Sequence, residues 1–330
     1  MKHFNHLFSA LLLMVVFTTA SCSGDIEEHP LSQAHAPAPI SLIQTLDSIN
    51  NSLVPPSTLR RAPKGGELTS KDKVTIAMAD AGGAISGGKK GFKYGGRIGS
   101  LLGHPATGAT VGTIVGAVVK GGMKSYLKYK KIEDAKKETT ATSLRRANQT
   151  VDNYAKAAFA CSALLGNGDS LSVNGPLITY VNPMSKYSVV IDDSLMKMTN
   201  LTDRQLNVGM AHNLVLAYLD GKILIDDASN VDTTTSIYVQ KLLESPEFRE
   251  ECLQDDSDED SEETSVKVEQ LFFKVYEKYA KDCDDVSFII NKYVEAIDAS
   301  DELSPEEKTS LKYGFATALY STNYWEKELK

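Results

Sequence analysis

The chain of 330 residues has only four cysteines and six histidines, which limits the chemistry open to it. Cys161, Cys252 and Cys283 follow Cys22, and their spacing fits neither a zinc site nor a CxxC redox pair. Because their number is odd, one disulfide at most can form among them, and Cys252 with Cys283 is the expected pair since they are nearest in sequence. His212 is the only histidine after residue 104, so we predict no metal site.

The sequence also lacks the short motifs that mark common catalytic and nucleotide-binding sites. It contains no G-x-S-x-G nucleophile elbow. Its glycine-rich residues 82–99 contain no GxxxxGK[ST] and follow no predicted strand, which excludes a phosphate-binding loop. We therefore predict neither a catalytic activity nor a cofactor.

Long apolar runs are missing as well, since a membrane-spanning helix needs about 20 such residues. The apolar run Leu7–Phe17 is too short, and it lies between Lys2 and the small residues that precede Cys22. This pattern is typical of a signal peptide over residues 1–21. The cleavage site resembles the lipobox of bacterial lipoproteins, although Thr19 stands where leucine is commonest. The resemblance implies acylation of Cys22 and a membrane-lipid anchor.

Residues 23–28, Ser-Gly-Asp-Ile-Glu-Glu, resemble the acidic stretch that directs lipoproteins of Bacteroidota to the cell surface. No Asp follows Cys22 directly, so the best-known inner-membrane retention signal is missing. The expected location is the outer membrane, with exposure at the cell surface. The alternative is an ordinary signal peptide followed by a structural cysteine.

We predict a mainly α fold, in which a glycine-zipper helical hairpin precedes a helical domain with a small β-hairpin. Residues 22–63 are rich in Pro, Ser and Ala and form a flexible tether, interrupted by a short amphipathic helix, Ile40–Leu53. The zipper hairpin occupies residues 64–131, and a mostly helical, acidic domain occupies residues 132–330. Extended runs around Asn182-Pro183, within residues 170–192, predict the β-hairpin or, alternatively, two separate extended pieces.

Capping boxes beginning at Thr202 and Ser304 predict two helix starts in the acidic domain. The acidic run Asp255–Glu263 lacks the glycine and ligand spacing of a calcium loop and is expected to be a solvated loop. The predicted helices of this domain are Leu144–Leu165, Thr202–Leu219, Thr235–Leu243, Val266–Ala280, Asp285–Ile297 and Pro305–Tyr320.

Charge divides unevenly between the two parts of the chain. Residues 64–131 contain twelve Lys and Arg against three acids, a net charge of +9, whereas the whole chain carries −8 and the remainder therefore −17. This split indicates either contact between the basic hairpin and the acidic domain or attraction of the hairpin to anionic lipid. Nucleic acid is not an expected partner because the protein is exported.

Glycine recurs at every fourth position of the basic segment. Gly inside a helix costs about 0.5–1 kcal/mol relative to Ala, so such a row implies close packing of another backbone. We predict a hairpin of helices Val74–Leu102 and Thr107–Tyr129 that turns at His104-Pro105. The predicted packing glycines are Gly83, Gly87, Gly91, Gly95, Gly99, Gly103, Gly108, Gly112 and Gly116.

A four-residue period overshoots the helical turn of 3.6 residues, so the glycine stripe winds around its helix. No straight parallel neighbour could follow it, and we expect several partner helices or a homo-oligomer to share the stripe. Lys89, Lys90, Lys93 and Arg97 argue against simple insertion in a membrane. Three settings remain open: an interfacial hairpin, an inserted assembly with lysines facing water, and a soluble hairpin packed on the rest of the protein.

The segments ADAGGAISGGKKGFKYGGRIGS and ATGATVGTIVGAVVKGG resemble the glycine-zipper, bacteriocin-like segments of bacterial envelope proteins, including Bacteroidota lipoproteins of unassigned function. The resemblance covers the glycine segment alone. It implies membrane association or self-assembly rather than catalysis. In a second interpretation, the protein binds a ligand or partner at the cell surface and the zipper is only a structural stem.

Val208-Gly209-Met-Ala-His212-Asn213 lies on a predicted helix and resembles a VG-x-x-HN helix of similar Bacteroidota proteins. Gly209 and Asn213 are four residues apart and share a face. A ligand site at Gly209, His212 and Asn213 is one hypothesis. The other is that His212 and Asn213 bridge backbone groups where helices meet.

Overall fold

Eight α-helices account for most of the residues that the computed structural model describes, and the prediction of a mainly helical fold is confirmed. The described residues are 40–54, 69–137, 178–181, 194–219, 223–225, 241–242, 244–253 and 263–328. The helices are α1 (Leu42–Ser52), α2 (Ser70–Leu101), α3 (Pro105–Lys137), α4 (Asp203–Leu219), α5 (Pro246–Leu253), α6 (Thr264–Tyr279), α7 (Cys283–Ala299) and α8 (Pro305–Glu328).

Both predicted capping boxes are present at helix starts. At α4, the hydroxyl of Thr202 accepts a hydrogen bond from the Gln205 amide, and the Gln205 side chain accepts one from the Thr202 amide. Ser304 and Glu307 make the same exchange at α8. Helices α1 and α2 begin with two further capping boxes. These helix starts are therefore set locally, because each box satisfies two backbone amides that have no partner within the helix.

The small β-hairpin predicted within residues 170–192 is not seen in the described part of the chain. Strand β1 (Ile178–Val181) pairs antiparallel with β2 (Ile223–Ile225), which follows the end of α4. The strand at the first apolar run thus has a partner distant in sequence, supplied by the chain where it leaves α4. Residues 182–192, with the second predicted run, lie outside the described residues.

Other predicted features also lie outside the described residues. They include the signal peptide (residues 1–21), Cys22, the helix predicted over residues 144–165, and most of the acidic run before Glu263. Cys161 and the side chain of Cys252 are outside them too. Cys283, the first residue of α7, is a thiol, so the expected disulfide with Cys252 is not seen.

The hairpin of α2 and α3 lies among the other helices rather than apart from them. Helix α2 packs against α6 and α8, and α3 packs against α4 and α8. Ala81 and Ile85 of α2 belong to one apolar core with α6, α7 and α8, while Ala84 and Tyr94 belong to a second core with α3 and α4. The zipper segment 64–131 and the helices after it are therefore not separate packing units.

Helix α1, within the predicted tether, is docked on the helical domain. Leu42 and Leu46 are buried, and the Leu42 amide donates a hydrogen bond to Glu302 Oε1 at 2.7 Å. The side-chain amide of Asn50 donates to Leu271 O, and its Oδ1 accepts from the Tyr293 hydroxyl. Residues 42–52 of the predicted tether are thus part of the packed fold.

Candidate functional site

Two rows of glycine, one on α2 and one on α3, face each other along the hairpin. A Cβ atom on Gly91 would lie only 1.9 Å from the carbonyl oxygen of Gly112. Real Cβ contacts are essentially never shorter than 3.0 Å, so only glycine permits this approach of the two backbones. The facing pairs are Gly87 with Gly116, Gly91 with Gly112, and Gly95 with Gly108.

The contact continues to both ends of the predicted row. A Cβ on Gly83 would lie 2.7 Å from Lys120 O, and one on Gly99 would lie 2.6 Å from His104 O. Gly121, which the sequence analysis did not single out, extends the row on α3 because a Cβ there would contact the Asp80 backbone at 3.1 Å. The two rows run in antiparallel register for the length of the stripe.

Gly103 is not part of this packing, contrary to prediction. A Cβ on Gly103 would meet nothing within 4 Å, and its φ of +82° places it in the left-handed region. The His104 amide donates to Gly99 O at 2.8 Å, and the Gly103 amide donates to Ser100 O at 3.3 Å. This is the hydrogen-bond pattern of a Schellman motif, which ends α2 and turns the chain.

Within the chain, one neighbouring helix, α3, covers the α2 stripe from Gly83 to Gly99, where several partner helices were expected. A homo-oligomer through the zipper stays a prediction. The reason is that α3 carries its own four-residue glycine row. When both helices have a period longer than 3.6 residues, they wind around each other and each follows the other's stripe. A straight helix, on which the expectation was based, could not do so.

The other side of α2 also uses close approaches, here to α8. A Cβ on Gly314 would lie 2.2 Å from Ile85 Cγ1, and one on Gly88 would lie 3.1 Å from Ser310 Oγ. Gly82 lies against Phe273 of α6. The glycines next to the zipper row therefore seat α2 within the domain, a role that the four-residue period did not reveal.

Gly209 and Asn213 lie on one face of α4, as their spacing predicted, and that face packs on α8. A Cβ on Gly209 would lie 2.5 Å from Ala316 O. The side-chain amide of Asn213 donates a 2.7 Å hydrogen bond to Tyr320 O. Asn213 therefore bridges to a backbone group of α8, as one interpretation of His212 and Asn213 expected. His212 contacts side chains instead.

His212 lies beside the zipper, where a Cβ on Gly121 would be 3.3 Å from its Cδ2. Its side chain and that of Asp80 in α2 are both fully buried, and His212 Nε2 lies 3.3 Å from Asp80 Oδ1. Its other nitrogen, Nδ1, lies 3.3 Å from Asn213 Oδ1. The Ser321 hydroxyl of α8 donates to Asp80 Oδ2. We call Asp80, His212, Ser321 and Asn213 the buried polar centre.

One proton is needed between the carboxylate and the imidazole in this arrangement. Asn213 Oδ1 is an acceptor because its amide nitrogen donates to Tyr320 O, so the facing His212 Nδ1 carries a hydrogen. Burial raises the pKa of Asp80 above its ordinary value of 3.8, while the His212 ring and the Ser321 hydroxyl partly oppose that shift.

The buried polar centre joins three helices and is enclosed among the residues that the structure describes. Asp80 lies on α2, His212 and Asn213 lie on α4, and Ser321 lies on α8. Their side chains are at most 9% exposed. A carboxylate, an imidazole and a hydroxyl can transfer protons, but here they contact one another rather than solvent. Their geometry supports a packing role.

The sequence analysis missed Asp80, Ser321 and the fully buried Lys120. Asp80 was counted only as one charge of the basic segment. The available signal was that Asp80 is the only acidic residue between Asp72 and Glu133. Nothing in the pattern around Ser321 distinguishes it from the neighbouring hydroxyl residues of α8.

No family model, curated protein or solved structure matches this chain. The resemblance of the glycine segment to bacteriocin-like lipoproteins remains a prediction. Function must be argued from the geometry of the chain itself.

Some basic side chains of α2 contact the acidic domain, and others lie near the Tyr94 ring. Lys89 Nζ lies 3.2 Å from Glu263 Oε2 and 2.6 Å from Ser265 Oγ. Lys93 and Arg97 lie 5.7 Å and 5.5 Å from the centre of the Tyr94 ring. At Lys89 the basic hairpin therefore contacts the acidic domain, one of the two consequences expected from the charge split.

The described residues contain no group of three or more His, Cys, Asp or Glu residues that could hold a metal ion. No helix among them is long and apolar enough to cross a membrane.

Proposed function

We propose that this chain is a lipid-anchored protein of the outer membrane, which holds a helical partner-binding domain at the cell surface, and that its glycine zipper is the structural stem of that domain. The observation that carries this choice is the closed zipper. The glycine faces of α2 and α3 contact each other at distances that admit no third backbone. Membrane anchoring in this proposal rests on acylation of Cys22.

The packing outside the zipper supports the same assignment. Helix α2 contributes Ala81 and Ile85 to one core and Ala84 and Tyr94 to the other. A hairpin that enters a bilayer would have to leave both cores and expose them to water. Self-assembly through the zipper would likewise require α2 and α3 to separate first.

A catalytic role for His212 receives less support. His212 is fully buried and contacts Asp80 and Asn213. The Asn213 side chain is committed to Tyr320 O. A substrate could contact the imidazole only if α2, α4 and α8 moved apart, so a non-enzymatic binding role is the better proposal.

Two variants test the acylation of Cys22 and the packing role of the zipper separately. In cells that process lipoproteins, we expect Cys22→Ser to move the chain from the membrane to the soluble fraction and to abolish incorporation of labelled fatty acid. We expect Gly91→Ala to lower stability while the chain stays on the membrane. Retention of the Cys22→Ser chain on the outer membrane, or release of the Gly91→Ala chain, would contradict the proposal.

A further inference from the structure

The turn of the zipper hairpin projects two adjacent leucines into solvent. Residues 100–107, which we call the hairpin tip, are all exposed. Leu101 is 87% exposed and Leu102 is 37% exposed. Single exposed apolar residues are common on protein surfaces. Here two adjacent leucines lie at the end of a rigid hairpin, and the fold does not bury them.

Cations flank this apolar pair on α2. Arg97 and Lys93, exposed on α2, lie four and eight residues before Leu101, or about 6 and 12 Å along the helix. Residues 81–132 contain nine Lys and Arg and no Asp or Glu. The fully exposed Glu247 of α5 lies near Arg97. The tip is therefore apolar at its end and basic on its flank.

That combination fits an anionic lipid surface. Leucines enter the boundary between headgroups and acyl chains, while the long side chains of Arg and Lys extend to lipid phosphates. A cation near an anionic surface contributes attraction that decays within a Debye length, so residues one and two turns from the tip are close enough to act.

The shape of the tip favours lipid over a protein partner. Two helices side by side present an end of about 10 by 20 Å, roughly 200 Å². A stable protein interface buries about 800 Å² on each partner. A bilayer has no such minimum area, because it closes around whatever side chains enter it.

We propose that the hairpin tip docks on the anionic membrane surface, with Leu101 and Leu102 entering the interface and Arg97 and Lys93 binding lipid phosphates. This inference rests on the proposed membrane anchoring. The segment from Cys22 to Ile40 has 18 residues and spans at most about 60 Å, so an acylated Cys22 holds the domain near the bilayer. The zipper supplies rigidity, since the tip docks without the hairpin opening.

The experiment places a fluorescent side chain at the tip of the full chain. Leu101→Trp introduces an indole at the proposed insertion point, and Leu127→Trp is the matched control, because Leu127 is a 41% exposed leucine of α3 distant from the tip. The native Trp325 is buried and its emission is subtracted with the parent chain. Chains are bound to vesicles of phosphatidylglycerol and phosphatidylethanolamine with brominated acyl chains, which quench indoles at the interface.

We expect the Leu101→Trp emission to be largely quenched and the Leu127→Trp emission to be retained. Adding Lys93→Gln and Arg97→Gln should lower the ratio of docked to undocked tips about five-fold per charge removed. Removing two exposed cations at the other end of the hairpin, with Lys71→Gln and Lys131→Gln, should leave it unchanged. Phosphatidylcholine vesicles should give weak quenching.

The remaining outcomes are distinct. Chains that sediment with the vesicles but show equal or absent quenching at both positions overturn tip docking and leave the anchoring proposal intact. Chains that do not sediment with the vesicles contradict the anchoring proposal and this inference together. A Leu101→Trp emission that shifts with protein concentration in the absence of vesicles identifies a second copy as the occupant and overturns lipid docking.

Discussion

Gly91 and Gly96 lie five residues apart in the same helix, yet a methyl group meets opposite surroundings at the two positions. At Gly91 it would lie 1.9 Å from a backbone oxygen of α3, whereas at Gly96 its nearest neighbour is Ala109 Cβ at 3.8 Å. Whether a position in this helix requires glycine therefore depends on what lies opposite that residue. The two positions give a matched pair for measuring it.

We predict that Gly91→Ala destabilises the protein by about 1–3 kcal/mol, because the added methyl forces the helices apart. Gly96→Ala should stabilise it by about 0.5–1 kcal/mol, since Ala loses less backbone entropy and fits without a clash. Urea denaturation of both variants measures the difference. Equal changes of one sign would contradict the zipper geometry.

Asp80 gives a pH-dependent prediction. Burial raises its folded-state pKa above the ordinary value of 3.8, so the folded chain binds the proton more tightly than the unfolded chain. Its contribution to stability is complete below pH 3.8 and is lost as pH rises through the raised pKa.

We expect Asp80→Asn to remove this pH-dependent loss. The free energy of unfolding of the native chain should fall relative to that of the variant as pH rises above 4, in urea titrations at successive pH values. The exposed Asp301→Asn should show no such trend. A difference between native chain and Asp80→Asn that is constant with pH would refute the assignment.

At the scale of elements, the helix starts follow local rules and the hairpin turn follows one glycine. The capping boxes at Thr202 and Ser304 begin α4 and α8 where the sequence predicted. Gly103 ends α2 through its positive φ. No neighbouring atom would clash with a Cβ at this position. The turn thus requires glycine for its left-handed backbone conformation, whereas the zipper requires glycine because a side chain would clash with the facing helix.

This distinction predicts that Gly103→Ala costs about 1–2 kcal/mol through the left-handed conformation alone. Gly103→Asn should recover part of that loss, because Asn tolerates the left-handed region. Gly91→Asn should not recover stability in this way, because the obstacle at Gly91 is the backbone of α3. Thermal unfolding of the three variants checks the contrast, and full stability of Gly103→Ala would contradict it.

At the scale of the molecule, the zipper is an internal contact on which two cores are built. We therefore predict that Gly91→Ala lowers stability without changing the mass of the chain's assembly in mild detergent, as analytical ultracentrifugation would show. Gly96→Ala serves as the control. A native oligomer that dissociates in Gly91→Ala alone would restore the hypothesis of self-assembly through the zipper.

Much of the helical framework could be predicted because its signals are local. Glycine spacing, capping boxes and apolar periodicity each depend on residues within a turn or two of one another. The buried polar centre could not, since Asp80, His212 and Ser321 are separated by more than a hundred residues and meet only after α2, α4 and α8 have packed. The partner of β1 was missed for the same reason.

The four-residue row of glycines was enough to predict that two long helices pack backbone to backbone, because such a row destabilises a helix that lacks this close packing. Which backbones meet depends on how the chain folds. The rows of α2 and α3 have the same period and are joined by a short turn, so they wind around each other before any other partner is needed. That closure leaves Leu101 and Leu102, rather than the glycines, as the part of the hairpin that faces outward.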